Sequence, residues 1–168
     1  METTKPASTG SPTRLNREIS EEISIVMVSY WTGPILFEAV NAALAGSQAR
    51  IKELILVDNG NTHSVIKELF RCADENPKLR IISGHGNVGF ARGCNIGADV
   101  AQGRYLLLLN PDCCLSETAV ANLLAEASSR EGHWMLGGQV CDPNGQAQRG
   151  SKRSLLTPIT ALVSAIHL

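Results

Sequence analysis

Two features that mark other protein classes are missing from this sequence of 168 residues. No apolar run reaches the roughly 18 residues that suggest a membrane-spanning helix, so the sequence predicts a soluble or peripheral protein. Charge of one sign is not in excess either, because 15 basic residues face 16 acidic ones. A nucleic-acid-binding surface normally carries a clear basic excess. Nucleic acid is therefore not an expected partner.

The cysteines also lack the pattern of a disulfide framework or a zinc site. There are five of them, none forms a Cys-x-x-Cys pair, and no histidine stands at zinc-ligand spacing from them. A disulfide between the neighbours Cys113 and Cys114 would be strained. We therefore predict reduced cysteines packed as small apolar residues, as in a cytoplasmic protein.

Three segments differ in composition. Residues 1–22 are rich in Ser, Thr, Pro and charge, which predicts a disordered leader rather than a signal peptide. Residues 23–150 alternate between apolar runs and amphipathic stretches and predict one domain. Residues 151–168 predict an amphipathic helix that begins near Thr157 and Pro158. Its apolar face is compatible with a core helix, a peripheral membrane contact or a homodimer.

Short apolar runs, each followed by a helical pattern, indicate an α/β protein. The predicted strands are Ile23–Val28, Leu54–Val57, Leu79–Ile82, Tyr105–Leu109 and Trp134–Val140. The fourth run is the most apolar and is predicted to be the central strand. Such repetition predicts a three-layer, Rossmann-like fold with a mainly parallel sheet.

Helix starts and the ligand-binding edge follow from the residues after these strands. Pro34 suits a first helical position, and Thr62 and Ser116 are predicted helix caps. Ligands of parallel sheets bind at the carboxyl ends of the strands. Polar residues stand at four such ends: Ser29-Tyr30, Asp58-Asn59, the 84–89 loop and Asn110–Asp112.

The 84–89 loop admits three interpretations. Gly84-x-Gly86-x-x-Gly89 matches the dinucleotide fingerprint, although it stands in the third strand–helix unit rather than the first. It also fits a tight turn, or a loop whose backbone approaches a nucleotide-sugar. Arg92 stands in the first turn of the next predicted helix, where a positive charge is unfavourable unless an anion such as a diphosphate is near. The alternative is that Arg92 is a solvated surface residue. Asn95 shares its helix face.

Two aspartates also have alternative roles. Asp58 can accept a hydrogen bond from a nucleobase or ribose, or can stabilise an Asx turn with Asn59 and Gly60. Asp112 follows Pro111 at the mouth of the most apolar strand. It is suited to holding Mg²⁺ or Mn²⁺ against substrate phosphates, or to an ordinary turn or helix cap.

Five stretches resemble the family 2 glycosyltransferases of the GT-A fold, particularly the rhamnosyltransferase-like branch. They are Ile25–Tyr30, Leu56–Asn59, Gly86–Gly97, Gly103–Asp112 and Cys141–Gly145, in the family's order. The resemblance implies an inverting, metal-dependent enzyme of cell-wall polysaccharide synthesis. Its donor would be a nucleoside-diphosphate-sugar such as dTDP-rhamnose, and its acceptor a saccharide or a lipid-linked acceptor at the inner face of the cell membrane.

The resemblance also implies site residues. Ser29, Tyr30 and Asp58 would contact the nucleobase and ribose, and Arg92 the base or diphosphate. Asp112 would be the last carboxylate of the family's Asp-x-Asp motif and the metal residue. Asn110 replaces the first Asp, so metal affinity is expected to be weaker. Asn87, Gly89 and Asn95 complete the predicted donor-binding set.

No convincing general base is found. An inverting transferase needs one, usually Asp or Glu, yet the sequence contains neither after Asp142. Glu117, Glu126 and Glu131 fall on or just after a predicted helix away from the site. We therefore expect a donor-binding part that stops before the acceptor-binding half. The alternative is a non-catalytic nucleotide-sugar-binding or interaction module.

Overall fold

The computed structural model describes residues 23–45, 50–116, 118–142 and 144–148. The chain divides into two compact units, residues 1–117 and 118–168, which are considered separately below. The predicted leader and the predicted C-terminal helix lie outside the described residues, and the predicted domain boundaries stay predictions. None of the helices in the described part has the length and hydrophobicity that crossing a bilayer requires.

The first unit alternates strands and helices as predicted. Its elements are β1 (Ile23–Ser29), α1 (Ile35–Leu44), β2 (Ile51–Asp58), α2 (His63–Glu75), β3 (Leu79–Ile82), α3 (Phe90–Asp99) and β4 (Tyr105–Leu108). All the strand pairs are parallel, and the described strands lie in the order β3-β2-β1-β4. The predicted α/β class with a mainly parallel sheet is confirmed.

The two middle strands are buried on both faces, which explains why their sequences are apolar without alternation. On one face, Val26 and Val28 of β1 join residues of β2 and Cys94 of α3 in a core cluster. On the other face, Ile25 and Met27 are fully buried as well. Burial of both faces is the arrangement of a three-layer fold.

Helix α3 approaches β1 through two glycines. A Cβ atom on Gly93 would lie 2.8 Å from Cγ1 of Val28, and one on Gly97 would lie closer still to Cγ1 of Val26. Real Cβ contacts are essentially never this short, so only glycine lets the helix backbone pack directly on these two valines. The N-terminus of α3 is thereby fixed near the carboxyl ends of the strands.

A buried polar network joins the amino ends of the strands. Ser24 donates from Oγ to Oε1 of Glu53 over 2.7 Å, and Arg80 donates from Nη1 to Oε2 of Glu53 over 2.6 Å. The backbone N–H of Gln102 donates to Oε1 of Glu53 over 2.7 Å. Burial raises the pKa of Glu53, but these hydrogen bonds together with the charge of Arg80 outweigh burial, and the net pKa is lowered.

The prediction that Tyr105–Leu109 forms the central strand is wrong for the described sheet, in which β4 is an edge strand. Leu106 and Leu108 are 47% and 50% exposed, whereas Leu109 is buried. The hydrophobicity of this run indicates how much apolar surface the strand carries, but it does not determine the position of the strand in the sheet. In the described sheet the central strands are β1, which is buried throughout, and β2, which is buried except at Lys52.

Two predicted helix caps are also corrected. Thr62 stands at the N-cap of α2 but makes no capping hydrogen bond, and its hydroxyl lies 3.0 Å from Oγ of Ser64. In the second unit, α4 spans Ala119–Ser128 with Thr118 as its N-cap, so Ser116 is not the cap. On α2, Leu69 is buried, whereas Phe70 is 45% exposed.

In the second unit, the strand predicted for Trp134–Val140 is absent from the described residues, which show no regular ladder there. A hydrogen-bonded turn follows this stretch. Gly145 donates its N–H to the carbonyl of Asp142 over 2.9 Å, and Cys141 and Ala147 form an isolated antiparallel bridge. Apolar composition favoured a strand, but the described residues of this stretch belong to no strand, although the N–H of Gln148 donates to the carbonyl of Val140 over 2.9 Å.

Candidate functional site

The carboxyl ends of β1 and β2 lie side by side. Ser29 and Asp58 are register partners in the parallel ladder. Their relative exposures are 0% and 3%, although both stand at strand ends. The N–H of Asn59 continues the ladder by donating to the carbonyl of Ser29 over 2.8 Å. Parallel pairing therefore brings together two of the predicted site residues.

Asp58 organises the turn after β2. Its Oδ1 accepts from the N–H groups of Gly60 and Asn61 at 3.2 and 2.8 Å, and from Nδ2 of Asn61 at 2.7 Å. The Asx turn considered at the sequence level is therefore present. All three bonds use one carboxylate oxygen. A ligand role for the other oxygen remains a prediction.

Asn61 ties this turn back to β1. Its Nδ2 lies 3.2 Å from the carbonyl oxygen of Ser29 and 3.0 Å from Oγ of the same residue. The Ser29 hydroxyl is also 3.1 Å from Oγ1 of Thr32. The hydroxyl of Ser29 is thus embedded in a local network that shapes the loop after β1.

Asn59 connects β2 to the glycine-rich loop. Its Nδ2 donates to Oδ1 of Asn87 over 3.2 Å, and its Oδ1 accepts from the N–H of Val88 over 3.2 Å. Asn87 also accepts at Oδ1 from the N–H of Gly89 over 2.9 Å. The donor-binding role of Asn87 stays a prediction. Asn87 also has a structural role, since it holds the loop to the end of β2.

The loop between β3 and α3 depends on its glycines. Gly84, Gly86 and Gly89 have φ angles of 92°, 66° and 82°, in the left-handed region that favours glycine. Gly89 is the N-cap of α3 and accepts the N–H of Gly93 at its carbonyl. The tight-turn interpretation of these glycines is therefore correct, and it is compatible with a close approach by a ligand.

The first turn of α3 presents charge and polarity to solvent. Arg92 and Asn95 are both exposed on this helix, as their three-residue spacing predicts for a shared face. A helix N-terminus has unpaired N–H groups and a partial positive charge. An anion bound there would meet the guanidinium and the helix end together.

Two aromatic residues stand exposed in the loop after β1. Tyr30 is 55% exposed, and its ring lies 3.6 Å from the position that a Cβ of Gly60 would occupy. Trp31 is 67% exposed. In the described part of the chain, Trp31 is also the one non-glycine residue with a positive φ, which is 50°. Tyr30 is among the residues predicted from the sequence, but Trp31 is not, because a positive φ cannot be recognised from amino-acid composition.

The fourth strand end carries a tight turn. The N–H of Cys113 donates to the carbonyl of Asn110 over 3.1 Å, with Pro111 and Asp112 at the two central positions. Asn110 and Asp112 are both exposed. Burial, the charge of Asp112 and the neighbouring Cys114 all raise the pKa of the Cys113 thiol.

The donor set of this turn fits one kind of metal ion. Among the described residues there is no group of three or more His, Cys, Asp and Glu side chains that could hold a metal. The turn offers one carboxylate, Asp112, and one amide oxygen, Asn110. Mg²⁺ and similar hard ions commonly take one or two protein carboxylates and complete their shell with water and substrate phosphates. The residues fit an ion shared with a ligand.

Hydrogen bonds therefore join some of the strand ends but not all of them. Hydrogen bonds join Ser29, Asp58, Asn59 and Asn87 into one network. The turn at Asn110–Cys113 follows β4, which pairs with β1 through residues up to Leu108. Arg92 is placed by α3. The five cysteines, all within the described residues, are free thiols. The prediction that they pack as small apolar residues is wrong for Cys114 and Cys141, which are exposed.

Comparison with known sequences decides the family. The family model described as "Glycosyl transferase family 2" matches residues 24–159. The chain belongs to this family.

Two curated relatives agree with that assignment. Over 121 residues, the family 2 chain is 30% identical to "Glycosyltransferase GlyG" of Streptococcus pneumoniae serotype 4, covering 71% of this chain and 39% of the relative. It is 33% identical over 90 residues to an "Uncharacterized glycosyltransferase" of Haemophilus influenzae, covering 54% of this chain and 36% of the relative. The chain thus spans less than two fifths of the length of these relatives.

Solved structures share the fold. "Mannosyltransferase PcManGT from Pyrobaculum calidifontis in complex with GDP-Man and Mn2+" aligns with a TM-score of 0.55 at 18% identity, over 62% of this chain and 32% of that one. "S. aureus TarS 1-349 in complex with UDP-GlcNAc" aligns with a TM-score of 0.54 at 15% identity, over 64% of this chain and 31% of that one. At these identities the similarity supports the GT-A-like fold alone.

Proposed function

We propose that this chain is the donor-binding part of a glycosyltransferase that uses a nucleoside-diphosphate-sugar. The observation that carries the proposal is the hydrogen-bonded network at the carboxyl edge of the sheet. It gathers Ser29, Asp58, Asn59 and Asn87 from three separate segments. This edge is where open parallel sheets bind ligands, and membership of family 2 adds independent support.

The nucleoside would lie at the ends of β1 and β2. Oδ1 of Asp58 holds the turn, which leaves its second carboxylate oxygen for a ribose hydroxyl or a nucleobase N–H. The exposed ring of Tyr30 would contact the same part of the ligand. Asn87 and Gly89 would line the loop side of this nucleoside site.

The diphosphate would lie between the start of α3 and the turn after β4. Arg92 and Asn95 project from the exposed side of the first turns of α3. A guanidinium forks well onto phosphate oxygens, and the helix end favours negative charge. Asp112 would hold Mg²⁺ or Mn²⁺ against the diphosphate, with Asn110 as a neutral helper. The ion would neutralise charge on the departing nucleoside diphosphate.

The finer assignments rest on the resemblance of the sequence motifs. We propose the rhamnosyltransferase-like branch, dTDP-rhamnose as the first donor to test, and transfer with inversion to a cell-surface polysaccharide or lipid-linked acceptor. Among the described residues, none is proposed as the general base. Transfer itself is therefore assigned to the longer protein that the relatives represent, at the cytoplasmic side of the membrane.

Titration calorimetry tests the proposal. UDP, GDP and dTDP, each with Mn²⁺, would be titrated into the chain beside NAD⁺ as a control for the dinucleotide fingerprint. We expect one nucleoside diphosphate to bind with a metal-dependent Kd and NAD⁺ not to bind. Absence of any nucleoside-diphosphate binding, or preferential binding of NAD⁺, contradicts the proposal. Binding without sugar transfer or donor hydrolysis by this chain is expected both of a donor-binding part and of the non-catalytic alternative. Assaying transfer with and without downstream sequence separates the two.

A further inference from the structure

The loop after β1 holds Trp31 in an unfavourable backbone conformation. Its φ of 50° lies in the left-handed region, which bulky side chains rarely adopt and which costs of the order of 1–3 kcal/mol. The hydroxyls of Ser29 and Thr32, on either side of the two aromatic residues in the sequence, lie 3.1 Å apart. Gly33 follows with a φ of 78°. Glycine or asparagine would occupy the position of Trp31 with less strain.

The strain is not offset by burial of the side chain. Trp31 is 67% exposed, the second highest exposure among the large hydrophobic residues of the described chain after Met135 at 93%. A structural tryptophan normally contributes by burying its large surface. Here the indole stands in solvent at the end of a central strand, so a contribution to folding does not explain why this residue occupies a strained position.

The loop that carries Trp31 is held by hydroxyl and amide side chains. Thr32 and Asn61 both lie within hydrogen-bond distance of Ser29, and the ring of Tyr30, the residue before Trp31, lies near Gly60. An exposed aromatic face beside hydroxyl and amide groups suits a ligand that is apolar on one side and rich in hydroxyls on its rim. A pyranose ring has that character, since its C–H face packs on an aromatic ring while its hydroxyls make hydrogen bonds.

We infer that Trp31 is a stacking residue for a saccharide ring, held at the carboxyl edge of the sheet by the strained turn Ser29–Thr32. The inference rests on the proposed function and adds a sugar contact to it. The ring would come from the sugar of the donor or from a saccharide acceptor, which present the same C–H face. Nucleoside-diphosphate binding, by contrast, would not depend on Trp31.

The chain offers a direct spectroscopic probe, because it contains two tryptophans, Trp31 and Trp134. In a Trp134→Phe background, the fluorescence reports Trp31 alone. Free UDP, GDP and dTDP, the corresponding nucleotide-sugars, and free oligosaccharides would be titrated separately. We expect the sugar-containing ligands to change the Trp31 emission. A response to nucleotide-sugars alone assigns the ring to the donor, and a response to oligosaccharides assigns it to the acceptor.

Affinity and stability of Trp31→Gly complete the test. We expect this variant to bind the responding sugar ligand about three- to tenfold more weakly and the nucleoside diphosphate as the wild type does. Its Tm should be unchanged or higher, since glycine relieves the strained φ, and Trp31→Phe should retain most of the affinity. Equal loss for nucleoside diphosphate and sugar ligand, no loss at all, or a clearly lower Tm would overturn the inference.

Failure of the stacking role of Trp31 can be distinguished from failure of the proposed function. Calorimetry of the wild type with nucleoside diphosphates does not depend on Trp31. If they do not bind, the proposed function is wrong. If they bind and Trp31→Gly changes nothing, only the stacking role of Trp31 is wrong.

Discussion

The side-chain amide of Asn59 joins the end of β2 to Asn87 in the loop before α3, with Nδ2 donating to Oδ1 over 3.2 Å. Oδ1 of Asn59 accepts the N–H of Val88 in return. One buried residue therefore fixes the position of the glycine-rich loop relative to the strand that carries Asp58. The proposed nucleotide site depends on that fixed relationship, because its two sides come from different segments of the chain.

Replacing this amide should loosen the loop. Asn59→Ala removes both bonds and leaves loop groups without their partners, at a cost of about 1–3 kcal/mol in the free energy of unfolding. Hydrogen exchange at Val88 and Gly89 should become faster, and nucleoside-diphosphate affinity should fall. Asn41→Ala, at an exposed position on α1, is the matched control and should change neither. Unaltered exchange at Val88 in Asn59→Ala would contradict the anchoring role.

Asp58 allows its two roles to be separated. Asp58→Asn keeps an Oδ1 that can accept two of the three hydrogen bonds of the turn but removes the charge. We expect it to retain most of the wild-type stability and to bind nucleoside diphosphate more weakly. Asp58→Ala loses the turn as well and should also lower Tm. Should Asp58→Asn bind like the wild type, Asp58 serves the turn alone.

The two glycines of α3 permit a packing test. Gly97→Ala places a methyl group against Val26, and overpacking of this kind typically costs 1–3 kcal/mol. Alanine is intrinsically better than glycine in a helix by about 1 kcal/mol, so a lower Tm can only come from the contact. Gly138→Ala, where nothing lies within 4 Å, is the control. A Tm of Gly97→Ala at or above the wild-type value contradicts the close packing.

The network around Glu53 predicts sensitivity to acid. The pKa of Glu53 is lowered in the folded protein, so its contribution to stability is present above the ordinary carboxylate pKa. That contribution is lost as the pH falls through the lowered value. Glu53→Gln should be less stable by about 1–3 kcal/mol at neutral pH and should show a flatter loss of stability in acid. Denaturant unfolding across this pH range measures both effects.

The control for this experiment is Glu68→Gln, which removes an exposed contact with Arg71 on α2. Exposed ion pairs contribute little, so stability should stay at the wild-type level. If Glu53→Gln matches the wild type at neutral pH, the buried network is not the stabilising feature that its geometry indicates.

Much of the fold could be predicted because local patterns determine it. The run Leu79–Ile82 coincides with β3, since an apolar stretch between turn residues has few alternatives. By contrast, β2 begins at Ile51 rather than Leu54. Glu53 interrupts its apolar pattern, and its burial depends on Arg80, 27 residues away. No local pattern contains such a partner.

Strand order and backbone angles also could not be predicted from local sequence patterns. Hydrophobicity predicted that Tyr105–Leu109 would be central, yet β4 lies at the edge of the described sheet because order depends on long-range pairing. The positive φ of Trp31 could not be predicted either, because tryptophan rarely adopts it. Asp58 and Asn87, in contrast, were found at the sequence level by their positions immediately after strands, although their turn-forming hydrogen bonds were visible only in three dimensions.

A nucleotide site at the carboxyl edge, with Asp112 as its metal residue, is tested most directly by calorimetry of nucleoside diphosphate and Mn²⁺ with Asp112→Ala. Asp99→Ala, at the exposed end of α3, is the control. Asp112 is exposed, so its removal should leave Tm unchanged. We predict that Asp112→Ala loses the Mn²⁺-dependent part of the affinity, roughly tenfold or more, while Asp99→Ala binds as the wild type does. Equal Mn²⁺-dependent binding in Asp112→Ala and the wild type would contradict the account.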